Sequence, residues 1–451
     1  MFDFSFFSLS ANAIISIVWL IVLFAILITE KIEKAIAAWL IAWILIMLQV
    51  FYDPTWVESS SQIASIYIYH NLDIFAFIIW MMIISWIAKD SGAFKYIALI
   101  IVKKVKWSPI KLFFILSYLA FFLTIFISNI PTIIIMAPIV ILIAKKLKLN
   151  SMPYIIWIIT FANLWWAVTP ISDPTTYYQA NTLWFSFWDV LSNTWLIMFV
   201  TSIISSIYLY IIFRKDIKVK INKKELKKIK PKNYIKSKSM LFSSIFVLSV
   251  VIFLIIFKEY IYEYFWIKLD NWTLTLFGWF LLILITKNSV SKILKKKVDY
   301  ATLFFFAWLF IVVWALEHNW VIEKIADELI IITNWSEKIL LLMFTMWSSI
   351  LSVFIDNVPY NIAMVSTLES FRDNSIIVWS AWTALAWWLN SCTSIWWAGS
   401  PIWAACNVIA LWQAEKSKVF INFWKYLMIW VPLVLINSFV AYLILYFRYL
   451  V

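Results

Sequence analysis

Residues 163–176 read Asn163-Leu164-Trp165-Trp166-Ala167-Val168-Thr169-Pro170-Ile171-Ser172-Asp173-Pro174-Thr175-Thr176 and interrupt an apolar run over 153–183. Such a run is long enough to cross ~30 Å of hydrocarbon as a helix. Proline inside a helix removes a backbone donor and clashes with the preceding turn, so the run reads as two half-helices around an unwound segment. Unwound backbone is tolerated at membrane depth only where protein or a water-filled cavity receives it. A second interrupted run spans 376–411, with the break Ser394-Ile395-Trp396-Trp397-Ala398-Gly399-Ser400-Pro401-Ile402-Trp403-Ala404-Ala405-Cys406-Asn407. The two breaks share Trp-Trp-Ala followed by Pro-Ile at an offset of 231.

The rest of the chain supports a membrane setting. Of 451 residues, 64% are hydrophobic and only 14% charged, against about 45–50% and about 25% in soluble proteins. A soluble enzyme or secreted domain is excluded. Cys392 and Cys406 are the two cysteines, too few for a disulfide framework or a zinc site. No metal-spaced His/Cys cluster occurs, nor a nucleophile with His and acid nearby in sequence, so no enzyme and no cofactor is expected. Helical spans separated by short loops predict an all-α polytopic protein.

An offset of 228 aligns the two halves without a gap over a long stretch. Leu123, Phe126, Ile127, Asn129, Pro131 and Met136 meet Leu351, Phe354, Ile355, Asn357, Pro359 and Met364, and Gly92 meets Trp320. Each half predicts about five crossings, a re-entrant hairpin and a broken helix. An odd number of crossings inverts the second half. The organisation is therefore a first repeat over 1–213, a basic linker over 214–239 and an inverted second repeat over 240–451. With the linker cytoplasmic, 31 of the 37 Lys and Arg fall on the inner side, as the positive-inside rule demands. Both termini then face outward. The +13 charge reads as topogenic, with the bilayer and not nucleic acid as partner. The first apolar run lacks a basic flank and continues as a span, so no cleavable signal peptide is expected.

Inverted repeats with discontinuous helices characterise secondary transporters, whose sites lie at the repeat interface. The hairpin tips are Ser128-Asn129-Ile130-Pro131-Thr132 and Asp356-Asn357-Val358-Pro359-Tyr360. Each proline frees carbonyls, and Ser128, Asn129, Thr132 and Asn357 add oxygens suited to a cation. Pro170 and Pro401 are expected to restart half-helices whose amino ends attract an anion. Asp173 and Asp356 are the carboxylates placed deep in the membrane, where an acid is costly and marks function by default. Each either meets Na⁺ or carries a proton; the alternative is a structural Asp bonded to unwound backbone. Asn163, Thr169, Thr175, Thr176, Ser394, Ser400 and Asn407 complete the expected ion and substrate set. An ion channel is the alternative from another class.

Tryptophan usage is abnormal. The chain has 31 Trp and 3 Gly, where about 7% Gly, or roughly 30 residues, is ordinary. Some bacteria decode UGA as glycine, and another code table would write tryptophan there. Interfacial belts explain Trp at span ends, yet Trp80, Trp308 and Trp314 sit mid-span. Trp165, Trp166, Trp396 and Trp397 occupy breaks where glycine lets backbone unwind. Most of the 31 are therefore expected to be glycine.

The tips, Asn-Leu-Trp-Trp-Ala-Val-Thr-Pro-Ile-Ser-Asp-Pro-Thr-Thr, Phe-Ile-Asp-Asn-Val-Pro-Tyr (354–360) and Ala-Leu-Glu-His-Asn (315–319) resemble the ion transporter superfamily. Its members include citrate and dicarboxylate carriers, arsenite permeases, P-protein permeases and NhaD-type Na⁺/H⁺ antiporters. Asp-Asn-Val-Pro-Tyr (356–360) and Ser-Pro-Ile-Trp-Ala-Ala-Cys-Asn (400–407) look most like the P-protein and arsenite-permease branch, and Thr-Pro-Ile-Ser-Asp-Pro-Thr-Thr (169–176) is similar to the antiporter branch. The chain departs from the family in carrying Trp at family glycine positions. The resemblance implies an elevator-type carrier of a kind that is often homodimeric, in the bacterial inner membrane, moving a small anion or oxyacid with Na⁺ or H⁺ as coupling ion, or exchanging Na⁺ for H⁺. By position it implies one site lined by Ser128, Asn129 and Thr132 with the 163–176 break, and a mirror site lined by Asp356 and Asn357 with the 394–407 break.

Overall fold

The helices recur at the offset found in the sequence. In a computed structural model, α4 (Leu72–Asp90) and α12 (Tyr300–His318) start and stop 228 residues apart. The arms α5 (Pro109–Ile127) and α6 (Asn129–Leu147) match α14 (Glu337–Phe354) and α15 (Asn357–Asp373) in the same way, to within a turn at their ends. The structure describes residues 9–29, 31–52, 59–92, 94, 96–97, 99–100, 109–217, 235, 237–286, 294–295, 298–354, 357–373, 377–397, 399, 404–419, 421 and 423–451. Most of the basic linker, Asp356, Ser400, Pro401 and Trp403 lie outside them.

The remaining helices are α1 (Ala11–Thr29), α2 (Lys34–Met47), α3 (Ser60–His70), α7 (Met152–Leu164), α8 (Pro174–Thr182), α9 (Phe187–Ile217), α10 (Lys238–Phe265), α11 (Asn271–Thr286), α13 (Val321–Ile332), α16 (Trp379–Trp397), α17 (Ala405–Lys416) and α18 (Phe423–Tyr449). Among the described residues, α4, α5, α9, α10, α12 and α18 are long and apolar enough to span a membrane. The pair α13 and α14 is bent by 118°, a broken span or re-entrant loop that makes seven if counted as one. In hydrocarbon every backbone polar group must be bonded internally, which leaves the helix as the spanning element.

Local chemistry sets the helix ends. Ser59 and Gln62 form a capping box at the start of α3, which satisfies two orphan amides reciprocally. Asp299 caps α12 by accepting from Thr302 N at 3.2 Å. Within helices, Ser117, Thr124, Thr160, Thr194 and Thr201 donate to the carbonyl four residues back, so their hydroxyls need no water. Phe242, Phe246, Phe253 and Phe257 are all exposed along α10, a stripe whose apolar solvent is lipid.

Packing divides the described chain into two compact units. One comprises residues up to 75, 299–389 and 445–451. There α12 packs against α1 and α2, and α13 lies along α15 with Val321, Ile322, Ala326 and Ile330 inward. Trp314 is sandwiched between Phe51 and Tyr67, with centroids 4.9 Å away on each side.

The other unit comprises 76–298 and 390–444 and holds the first tip and both breaks. Helix α7, buried along its whole length, is its centre; α5, α6, α9 and α17 all pack on it. Gly278 lets α11 approach α10, because a Cβ there would overlap Val251 Cγ2. Small residues at such crossings are how membrane helices gain contact.

Candidate functional site

Helix α7 ends where the sequence placed the first break. Its last turn presents Asn163, fully buried, and Trp165 leaves helical geometry. A short 3-10 turn covers Trp166–Val168, Thr169 is extended, and a turn over 170–172 precedes α8. The second half-helix begins at Pro174 and not at Pro170. Proline suits the first helical position, where its missing N–H is not needed. Asp173 is the cap: its carboxylate accepts from Thr175 N at 2.8 Å. The amino end of α8, expected to attract an anion, is thus filled by the chain's own carboxylate.

Asp173 is 1% exposed and is enclosed by hydroxyls. Thr175 Oγ1 lies 2.8 and 2.7 Å from its two oxygens, and Thr176 Oγ1 lies 2.7 Å from Oδ2. Thr176 Oγ1 is also 2.8 Å from Asn390 Oδ1, and Asn390 Nδ2 donates to Ala167 O at 3.0 Å. Thr169 Oγ1 donates to Ile125 O at 2.8 Å, tying the break to the first hairpin arm. Ala167 N donates to Ser394 Oγ at 3.1 Å.

The first tip stands against the same break. Ser128 adopts φ 67 between α5 and α6, and Thr132 Oγ1 donates back to Ser128 O at 2.8 Å. Asn129, fully buried, donates from Nδ2 to Asn163 Oδ1 at 3.2 Å. Asn163 Nδ2 donates to Asn407 Oδ1 at 2.8 Å, and Asn407 Nδ2 donates to Trp397 O at 2.9 Å. Three asparagines thus link the tip, the first break and the second break. Asn129 Oδ1 is buried without a hydrogen-bond partner among the described residues. A desolvated acceptor of this kind is costly unless something binds it, and a bare cation is suited to it.

The second break differs from expectation in two respects. Trp396 and Trp397 are the last two residues of α16 and not an unwound segment; Gly399 N closes a turn onto Trp396 O at 2.8 Å. Helix α17 begins at Ala405, not at the proline, and its cap residue Ala404 has no side chain able to satisfy the first amides. Asp356 and Ser400 lie outside the described residues, and Asn357 is described only as the start of α15. Of the expected set, Ser128, Asn129, Thr132, Asn163, Thr169, Asp173, Thr175, Thr176, Ser394 and Asn407 come together in one unit.

Two residues carry more than the sequence suggested. Asn390 bridges Thr176 and Ala167, and its only sequence signal was an amide in an apolar run. Asn361 is fully buried near the start of α15, with neither amide atom bonded among the described residues; it follows the tip motif directly. Among the described residues no three His, Cys, Asp or Glu side chains form a metal-ligand group.

The family model described as "Citrate transporter" (CitMHS) matches residues 24–390. The chain belongs to this family, and a transporter family, not an enzyme, is its class. It is 25% identical over 443 residues to a "46 kDa membrane protein" of Mycobacterium leprae, covering 97% of this chain and 99% of that protein. An "uncharacterized transporter" of Mycobacterium tuberculosis is 24% identical over 357 residues, 78% of this chain and 81% of its own. The "P protein" of Sus scrofa is 24% identical over 222 residues, 48% of this chain and 26% of its own.

Proposed function

We propose that this member of the citrate transporter family is a secondary active transporter of the bacterial inner membrane, moving a small anion or oxyacid of the arsenite or carboxylate class, coupled to Na⁺ or H⁺. The observation that carries this reading is the convergence of the first tip and both breaks on Asn163. A transporter needs a desolvated, polar, non-helical centre at the place where its helices are interrupted. Asn129 Oδ1, buried and unbonded among the described residues, suits a coupling cation. The amino end of α17, whose cap residue Ala404 makes no side-chain cap bond, suits an anion. The helix bounds that recur at 228 support two inverted repeats of about five crossings each and an elevator-type exchange. On this reading the linker is cytoplasmic and both termini are external.

A second reading, Na⁺/H⁺ antiport, is favoured by hydrogen counting. Thr176 has one hydroxyl proton but faces two acceptors, Asp173 Oδ2 and Asn390 Oδ1. The Asn390 amide is oriented by its bond to Ala167 O. A proton on Asp173 completes the chain Asp173 to Thr176 to Asn390, which makes this carboxyl a proton carrier.

Proteoliposomes separate the readings. Labelled succinate, citrate or arsenite should enter under an imposed Na⁺ or proton gradient and should exchange by counterflow against the same unlabelled solute. A Na⁺ jump that changes internal pH with no added solute selects antiport. Flux without counterflow would mean a channel and end the carrier reading.

A further inference from the structure

We infer that the translated protein carries glycine, not tryptophan, at Trp184, Trp266, Trp320 and Trp335 and at the break positions Trp165, Trp166, Trp396 and Trp397, and that the room so freed is a chamber for a small solute. The last part rests on the transport reading; the residue identities do not.

The first support is backbone conformation. Nine non-glycine residues among those described have positive φ, and four are tryptophans: Trp184 (61), Trp266 (58), Trp320 (59) and Trp335 (60). Tryptophan makes up 31 of 451 residues, so chance would put fewer than one there. A bulky side chain in the left-handed region is a genuine outlier, whereas glycine adopts it freely. Each of the four stands at a helix end. Past α8, Leu183 N and Phe185 N bond to Gln179 O and Ala180 O around Trp184, the arrangement that ordinarily takes glycine in its left-handed place. All four indoles are largely exposed, at 83, 83, 73 and 69%, so little packing compensates; Trp266 has only an edge contact with Tyr262, at 6.5 Å between centroids.

A true glycine provides the control. Gly92 and Trp320 are 228 residues apart, and Gly92 has φ 83. Gly92 N donates to Lys89 O and Gly92 O accepts from Tyr96 N. Trp320 N donates to Glu317 O and Trp320 O accepts from Lys324 N. Every member of the second set is the first displaced by 228. The same turn is built twice, once with glycine and once with tryptophan.

The second support is in the breaks. Trp165, Trp396 and Trp397 are buried with indole N–H groups lacking a partner among the described residues. Trp165 lies 3.8 Å, centroid to centroid, from Phe121 at 48°, closer than tilted rings settle. Trp166 and Trp397 stack at 4.4 Å and 11°, filling the space between the two breaks with a pair of rings. Glycine at all four leaves that space beside Asn163, Asp173 and Asn407, lined by backbone amides and carbonyls. The claim is confined to these eight positions. Trp382 donates to Leu368 O at 2.7 Å and Trp314 is well stacked, and neither shows these signs. Trp166 does donate from Nε1 to Ser172 O at 2.7 Å, so its inclusion rests on its place beside Trp165 in the break and on its stack against Trp397, not on an unpartnered N–H.

The test is mass spectrometry of the native protein from its own cells. Cleavage after lysine releases 259–268 and 325–338, each with one tryptophan in the sequence, at 266 and 335; peptic fragments cover 163–176 and 394–407. Glycine masses at 266, 335, 165, 166, 396 and 397 are expected. Indole at 266 and 335 overturns the decoding. Glycine there with indole at any of the four break positions overturns the chamber. Absence of transport with glycine read at every position would remove the transport reading and leave the residue assignment standing.

Discussion

Removing the side chain of Asn163 is the sharpest perturbation of the network. In the wild type Asn163 Oδ1 accepts from Asn129 Nδ2 and from Cys406 Sγ, and its Nδ2 donates to Asn407 Oδ1 and Ile159 O. Asn163→Ala strands Asn129, whose Oδ1 is already unbonded. Asn407 fares better, since it keeps its bond to Trp397 O and the Cys406 thiol. Leaving one buried group unpaired costs about 1–3 kcal/mol, and the lost Asn163–Asn407 bond adds about 0.5–1.5 kcal/mol. The total is about 1.5–4.5 kcal/mol, with the low end favoured because bonds between membrane helices average about 0.6 kcal/mol in double-mutant cycles. The assay is denaturant unfolding in lipid-detergent mixtures of Asn163→Ala, Asn129→Ala and both together. The double variant should cost less than the sum, because Asn129→Ala removes the group that Asn163→Ala strands. Additivity within about 0.3–0.5 kcal/mol would refute the network.

Other outcomes follow from the same geometry. Asp173→Asn should keep an unfolding midpoint near wild type, because its amide oxygen can still cap α8, while coupled transport in vesicles is lost. Asp173→Ala should in addition lower stability by about 0.5–2 kcal/mol, as a lost helix cap does. Asn390→Ala should impair transport, and uptake at the wild-type rate would show that the Thr176–Asn390 contact is dispensable. Gly278→Ala should destabilise by about 1–3 kcal/mol, because the added methyl meets Val251 and Ile84; an unchanged midpoint would mean that α11 shifts freely. Protease added to sealed inside-out vesicles should cut the 214–239 linker, and cleavage from the outer side only would reverse the topology.

Much of this was legible in the sequence because proline and charge act locally. The first break, the Ser128 tip and the arms around it follow from prolines in long apolar runs. The matching helix bounds follow from the offset of 228. Where the half-helices restart was not legible from the prolines alone. Pro170 sits in a turn and α8 waits for Pro174, because Asp173 supplies a cap that Ser172 spends instead on Trp166 O at 2.7 Å. Trp396 and Trp397 stay helical since the turn that ends α16 closes two residues past them, at Gly399. Asn390 and Asn361 were missed because a lone amide in an apolar segment has no periodic signal; only tertiary packing shows what it faces.

The most direct test of the central claim is counterflow of labelled solute in proteoliposomes carrying wild-type protein or Asp173→Asn, measured side by side at equal protein content. Gradient-driven uptake and exchange by the wild type, with coupled uptake lost in the variant, is the expected result. Equal coupled uptake by both proteins would place the transport site away from the residues gathered around Asn163 and Asp173.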